Sequence, residues 1–141
     1  MRIQLKNFVT YDFVEFCPGP HLNMVVGPNG TGKSSIACAI CLGLNFPPSV
    51  SAFEVTTLLC RHCFVKVLGR QDLNSFVKQT KKKGHIEIEL KGHPGKPNIV
   101  IRRELVEGTR TTSFTINGKS AVGKDVNTTI AQLNIQVGNL W

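Results

Sequence analysis

Gly27-Pro28-Asn29-Gly30-Thr31-Gly32-Lys33-Ser34 is the stretch that most constrains this chain. It fits G-x-x-x-x-G-K-[ST] at every fixed position. Its flanks fit as well. The apolar run Leu22-Asn23-Met24-Val25-Val26 predicts a strand leading in, and Ser35 to Leu42 predicts a helix leading out. That order of strand, loop and helix is the setting in which such a loop holds a phosphate. Glycines let backbone N–H groups curl around an anion without Cβ clashes. The helix N-terminus adds unpaired donors and the positive end of its dipole. Lys33 is placed to reach the outer phosphates of a nucleotide, and the Ser34 hydroxyl to hold Mg²⁺. The candidate site is therefore Gly27, Pro28, Asn29, Gly30, Thr31, Gly32, Lys33, Ser34 and Ser35.

Composition narrows the class. At 141 residues the chain is long enough for one domain, or part of one, with a buried core. Nowhere is it apolar for the ~18 residues that a membrane span needs. Met1-Arg2-Ile3-Gln4-Leu5-Lys6 alternates polar and apolar, unlike a signal peptide, and gives the expectation of an intracellular protein. The net charge of +8, from 17 basic and 9 acidic residues, favours polyanionic partners.

Along the chain, residues 2–8 alternate as a half-buried strand does, and Asp12 to Phe16 predicts a second. Cys17-Pro18-Gly19-Pro20 breaks the chain. A helix is expected from Gly32 to Leu44, apolar nearly all round and so buried in an α/β layer. Pro47-Pro48 ends it. His85 to Leu90, Asn98 to Val106 and Thr111 to Ile116 predict three more strands. Asn117-Gly118 is a strong hairpin signal, with Lys119 to Ala121 as the returning strand. Val122 to Leu133 predicts a helix with Val126, Ile130 and Leu133 on one face.

Two strands before the strand that leads into the phosphate loop, and a meander after it, match the order of ABC-type ATPase heads. Several blocks then resemble the structural maintenance of chromosomes (SMC) family. They are Arg2 to Phe8, Pro18 to Asn23, Gly27 to Ser35, Cys38 to Leu44 and Gln132 to Leu140. The resemblance covers most of residues 1–49 and 68–140. It implies an α/β fold: the N-terminal lobe of a split, ABC-type P-loop NTPase head, with a mixed sheet, an antiparallel meander and the phosphate-loop helix. Residues 1–141 would be that lobe, incomplete. It implies ATP and Mg²⁺ as cofactors. The implied partners are structural maintenance of chromosomes protein 6, non-SMC subunits and DNA. The implied setting is a nuclear, chromosomal complex in repair by homologous recombination. A Rad50-like or RecN-like head is the alternative within the same chemistry. A small phosphotransferase would need an acceptor pocket and a catalytic base, and neither is legible.

Two departures carry expectations. Family heads complete the site with a Gln, an acidic Walker B residue, a signature motif and coiled coils, none of which is legible here. The chain alone is therefore expected to hydrolyse little or nothing. The family also joins a Gly-Leu like Gly43-Leu44 to a Leu-Gly-Arg like Leu68-Gly69-Arg70 over only a few residues. Here residues 50–66, Val50 to Lys66, are in excess. Val-Ser can be encoded GTAAGT and Lys AAG, the edges of an intron. A retained intron or gene-model error is one reading of 50–66, and a surface insertion is the other.

Cys38-x-x-Cys41 and Cys60-x-x-Cys63 have the spacing of a zinc tetrad, so a non-catalytic zinc module is a further alternative. Against it, Cys38 and Cys41 fall on the expected phosphate-loop helix, where the family resemblance makes them packing residues. Disulfides are not expected in a nuclear or cytosolic chain. Lys78, Lys81, Lys82 and Lys83 are candidate DNA-phosphate contacts, or else a solvated loop. His21, His62, His85 and His93 show no ligand spacing. Asn7 and Thr10 fall where related heads approach the nucleotide.

Overall fold

The computed structural model describes residues 1–21, 23–45, 76–109 and 112–135. Strand β1 (Arg2–Phe8) is its organising element. Ile3 and Leu5 are fully buried, while Arg2, Gln4 and Lys6 face the other way, so one face of the strand demands a core; past Asn7, at φ +51°, the alternation breaks and Phe8 is fully buried too. A tight turn returns the chain as β2 (Tyr11–Phe16). The chain then passes through the phosphate loop into helix α1 (Lys33–Gly43). Strands β3 (Lys83–Leu90), β4 (Ile99–Val106), β5 (Ser113–Ile116) and β6 (Lys119–Ala121) follow, and helix α2 (Gly123–Gln132) closes the described order.

The strands form one six-stranded sheet in the order β2-β1-β3-β4-β5-β6, antiparallel at every pairing. The Asn117-Gly118 turn forms as expected, both residues at positive φ (50° and 79°). Ile3, Leu5, Ile86, Ile88, Ile101 and Leu105 make the inner face, and Cys38, Ala39 and Leu42 of α1 join the same core. Each fully buried aliphatic side chain of this kind contributes about 1.5–3 kcal/mol. α1 lies very close to β3. A Cβ on Gly43 would stand 2.5 Å from Ile88 Cδ1 and 2.9 Å from Ile86 Cγ2. The outer face carries a charge ladder instead. Arg2 pairs with Glu87 (3.2 Å) and Glu89 (3.0 Å), and Arg102 with Glu87 and Glu104.

At the far end of β1, Phe8 stacks on Phe76 at 5.8 Å, and Val9 N–H donates to the Phe76 carbonyl. There the chain re-enters the described structure and docks on the β1–β2 turn. In α2, Val126 and Ile130 are buried as expected, and the Asp125 carboxylate accepts the Val122 N–H at the helix start.

Two expectations need correction. Among the described residues no strand leads directly into the phosphate loop. Residues 23–28 are irregular, and Met24, Val25 and Val26 are 78%, 53% and 81% exposed. Leu22 lies outside the described residues. Among the described residues no strand runs beside this segment, so its N–H and C=O groups have no ladder to join. β3 also begins at Lys83 rather than His85, because β4 is long enough to pair Lys83 with Val106 and Gly84 with Leu105. Gly84 is there for closeness. A Cβ on it would stand 2.6 Å from the Asn7 carbonyl oxygen of the neighbouring strand. The segment 50–66 and Leu68-Gly69-Arg70 lie outside the described residues.

Candidate functional site

The loop from Gly27 to Gly32 has the conformation its glycines suggested. Gly30 and Gly32 stand at φ +87° and +94°, in the left-handed region. Gly32 immediately precedes α1 and its carbonyl accepts the Ser35 N–H (2.9 Å) and the Ile36 N–H (3.2 Å). The N–H groups of Lys33 and Ser34 open the helix, where no carbonyl four residues earlier points back at them. They and the loop amides are the donors that an anion would take. Loop residues from Gly27 to Thr31 are exposed, Lys33 and Ser34 are half-buried, and Ser35 is buried at 5%. Ser35 therefore packs, and Ser34 carries the hydroxyl that a cation would meet.

Lys33 is folded onto its own loop. Its ammonium donates to the carbonyls of Gly27 (2.7 Å) and Pro28 (2.6 Å). The Thr31 hydroxyl donates to the Pro28 carbonyl (2.8 Å). Carbonyl oxygens thus hold the charge that phosphate oxygens would hold more strongly. A hollow of about 310 Å³ lies over the loop, lined by Tyr11, Val25, Val26, Thr31, Lys33 and Ile36 among others. Among the described residues that line it there is no carboxylate and no histidine. The approach is tied by Asn23, whose side chain accepts the Gly19 N–H and donates to the Gly19 and His21 carbonyls.

The loop fits a phosphate chain on three counts: Gly30 and Gly32 in the left-handed region, a lysine spanning the loop, and a helix start beneath. At the helix start Ser34 carries a hydroxyl suited to Mg²⁺, one oxygen where the ion takes about six.

The other candidates are dispersed. Lys78 is engaged, its ammonium 2.6 Å from Asp12 Oδ2. That hydrogen bond and charge hold the exposed Asp12 carboxyl below the usual range. Lys81, Lys82 and Lys83 are exposed, the last at the start of β3. Asn7 stands at φ +51° and donates its side-chain amide to the Lys83 carbonyl (2.9 Å). Thr10 is exposed in the β1–β2 turn. Cys38 and Cys41 are buried in α1, and burial pushes the Cys38 thiol up to about 12. Such thiols are poor metal ligands and poor nucleophiles. Cys60, Cys63 and His62 lie outside the described residues. Burial, then Arg102, lowers the His85 pKa.

Two residues escaped the sequence. Tyr11 donates its hydroxyl to the Thr31 carbonyl at 3.2 Å, a direct contact from the sheet to the phosphate loop. Its signal was an aromatic opening the strand after the first turn. Arg103 is 5% exposed and donates through Nη1 to the Leu42 carbonyl (2.7 Å) in the last turn of α1. It also bonds the Thr112 hydroxyl and lies 4.7 Å over the Phe114 ring. Burial lowers its pKa to about 10, which still leaves it charged near neutrality. Its signal was parity. Arg103 shares the inward set of β4 with Ile101 and Leu105.

Comparison with known proteins follows this geometry. An AAA domain family model matches residues 2–139. Structural maintenance of chromosomes protein 5 of Schizosaccharomyces pombe is 38% identical over 99% of this chain, which spans only 11% of that relative. A chain solved in work on ATP-driven dimerization and DNA-stimulated activation of SMC ATPases superposes with a TM-score of 0.73. It is 18% identical, and the match covers 99% of this chain and 82% of that one. An Smc head domain from Pyrococcus furiosus, bound to the C-terminal domain of ScpA, gives 0.73 at 19% identity, over 96% of this chain and 33% of its own. The fold is that of the N-terminal lobe of an SMC-type P-loop ATPase head.

Proposed function

Because this chain belongs to the AAA domain family, we propose that it is the ATP- and Mg²⁺-binding lobe of a chromosome-maintenance ATPase. The observation that carries the proposal is the loop at the start of α1, with Gly30 and Gly32 left-handed and Lys33 spanning it. Lys33 leaves the Gly27 and Pro28 carbonyls for the outer phosphates, and amides at the start of α1 hold the phosphate oxygens. Ser34 Oγ is the ligand offered to Mg²⁺, which when bound offsets phosphate charge. The wider role follows the similarity to structural maintenance of chromosomes protein 5. It is pairing with structural maintenance of chromosomes protein 6 in a nuclear complex that repairs DNA by homologous recombination. Non-SMC subunits would join, as ScpA does on the Pyrococcus furiosus head. Lys81, Lys82 and Lys83 are the exposed candidates for DNA phosphates.

Calorimetry with ATP and Mg²⁺ tests the site. Lys33→Ala removes charge-assisted bonds of about 1.5–3 kcal/mol, so affinity should fall at least about tenfold. Equal affinity of variant and parent would sink the site as drawn. Turnover is a separate matter. The described residues lining the hollow over the loop offer no carboxylate or histidine to orient water or accept a proton. Binding the ground state does not by itself speed phosphoryl transfer. Phosphate release by this chain should therefore stay at background, with Lys33→Ala as the contamination control. Steady release by the parent alone would reveal a complete site.

A further inference from the structure

Tyr11 does something that the phosphate loop cannot do for itself. It opens β2, where its backbone pairs with Phe8 of β1. Its half-buried ring packs against the core. The base of the side chain is thus held by the sheet, and the phenol reaches out to the Thr31 carbonyl at 3.2 Å. The ring also fills the space beside the next residue. A Cβ on Gly32 would stand 2.4 Å from the Tyr11 hydroxyl oxygen and 2.7 Å from Cζ.

Thr31 C=O and Gly32 N–H belong to one peptide plane, and in a trans peptide they point in opposite directions. Holding that carbonyl toward β2 turns the Gly32 N–H away from β2. Glycine's conformational freedom at position 32 lets this peptide flip where a larger residue would resist it. The other bonds of the loop do not prevent a flip. Lys33 and the Thr31 hydroxyl are spent on the carbonyls of Gly27 and Pro28. Burial raises the phenol's pKa, so the hydroxyl keeps its proton and remains a donor across the ordinary pH range.

We infer that Tyr11 is a positioning residue for the phosphate loop. Its hydroxyl locks the Thr31–Gly32 peptide in one orientation, so that the Gly32 amide is set before the anion arrives. The inference rests on the phosphate-binding reading of the loop, and on Tyr11 acting through the backbone rather than by touching the nucleoside.

Tyr11→Phe keeps the ring and removes only the hydroxyl. Two ligands separate the possibilities: ATP, and inorganic tripolyphosphate, which has no base or ribose. Both should bind about three- to tenfold more weakly to Tyr11→Phe, the scale of one neutral hydrogen bond. Unchanged affinity for both overturns the inference. A loss for ATP alone also overturns it, since Tyr11 would then be touching the nucleoside. Amide NMR without ligand gives an independent reading. The Gly32 amide should give one sharp resonance in the parent, and a broadened or doubled one in Tyr11→Phe. A single sharp resonance in both proteins means that no peptide is being locked. If the parent binds neither ligand, the phosphate-site reading fails, and the NMR comparison still decides whether Tyr11 holds the loop. Circular dichroism matching the parent's verifies that the variant is folded.

Discussion

Arg103→Ala is expected to be the most damaging single change in this domain, lowering unfolding free energy by about 3 kcal/mol or more. The side chain is 5% exposed, and among the described residues no carboxylate pairs with it. Its charge is compensated by the Leu42 carbonyl at 2.7 Å, by the Thr112 hydroxyl and by the Phe114 ring. The Leu42 carbonyl lies in the last turn of α1, at the negative end of the helix dipole, where a cation is well placed. Alanine would leave a cavity, strip Phe114 of its cation and remove a donor from a buried carbonyl. Arg103→Met should cost less, because it fills the space and also removes the desolvation penalty of the guanidinium. Urea melts of the three proteins would order them parent, Met, Ala from most to least stable. A shift below ~1 kcal/mol for Ala would mean that Arg103 does not hold α1 to the sheet.

Much of the sheet was legible because its physics is local. The alternation of Ile3 and Leu5, and of Ile86, Ile88 and Leu90, gives the strands and their inward faces. Asn117-Gly118 gives a turn because both residues accept positive φ. The phosphate loop is legible for the same reason, since it needs particular residues at fixed spacing. What escaped depends on partners far along the chain. Met24, Val25 and Val26 have a strand's composition, but pairing is a property of two segments, and none of the described strands lies beside them. Gly84 reads as a breaker, yet it sits inside β3 because β1 comes too close for a side chain. Arg103 was hidden by its type, although its position in the alternation pointed inward. Tyr11 reaches Thr31 only once β2 is folded back along β1.

Gly32→Ala is expected to abolish phosphate binding while leaving the sheet intact. Two independent costs fall on one methyl group. At φ +94° an L-residue is strained by about 1–2 kcal/mol, which glycine escapes. The new Cβ would also lie 2.4 Å from the Tyr11 hydroxyl oxygen, which is held by its bond to Thr31. Relaxation must move the loop or the tyrosine, and either movement displaces the amides at the start of α1. About 2.8 kcal/mol of lost alignment is a hundredfold in affinity, and a loss of at least that size is expected. The costs can be separated. In Gly32→Ala with Tyr11→Ala the clash is gone, while the backbone strain and the loss of the Tyr11 hydroxyl bond remain, so binding should recover only in part, and Tyr11→Ala alone measures the second of these. Titration with a fluorescent ATP analogue would measure the single and double variants beside the parent. Gly32→Ala binding within threefold of the parent would show that the left-handed turn at Gly32 is not the conformation that meets the phosphates.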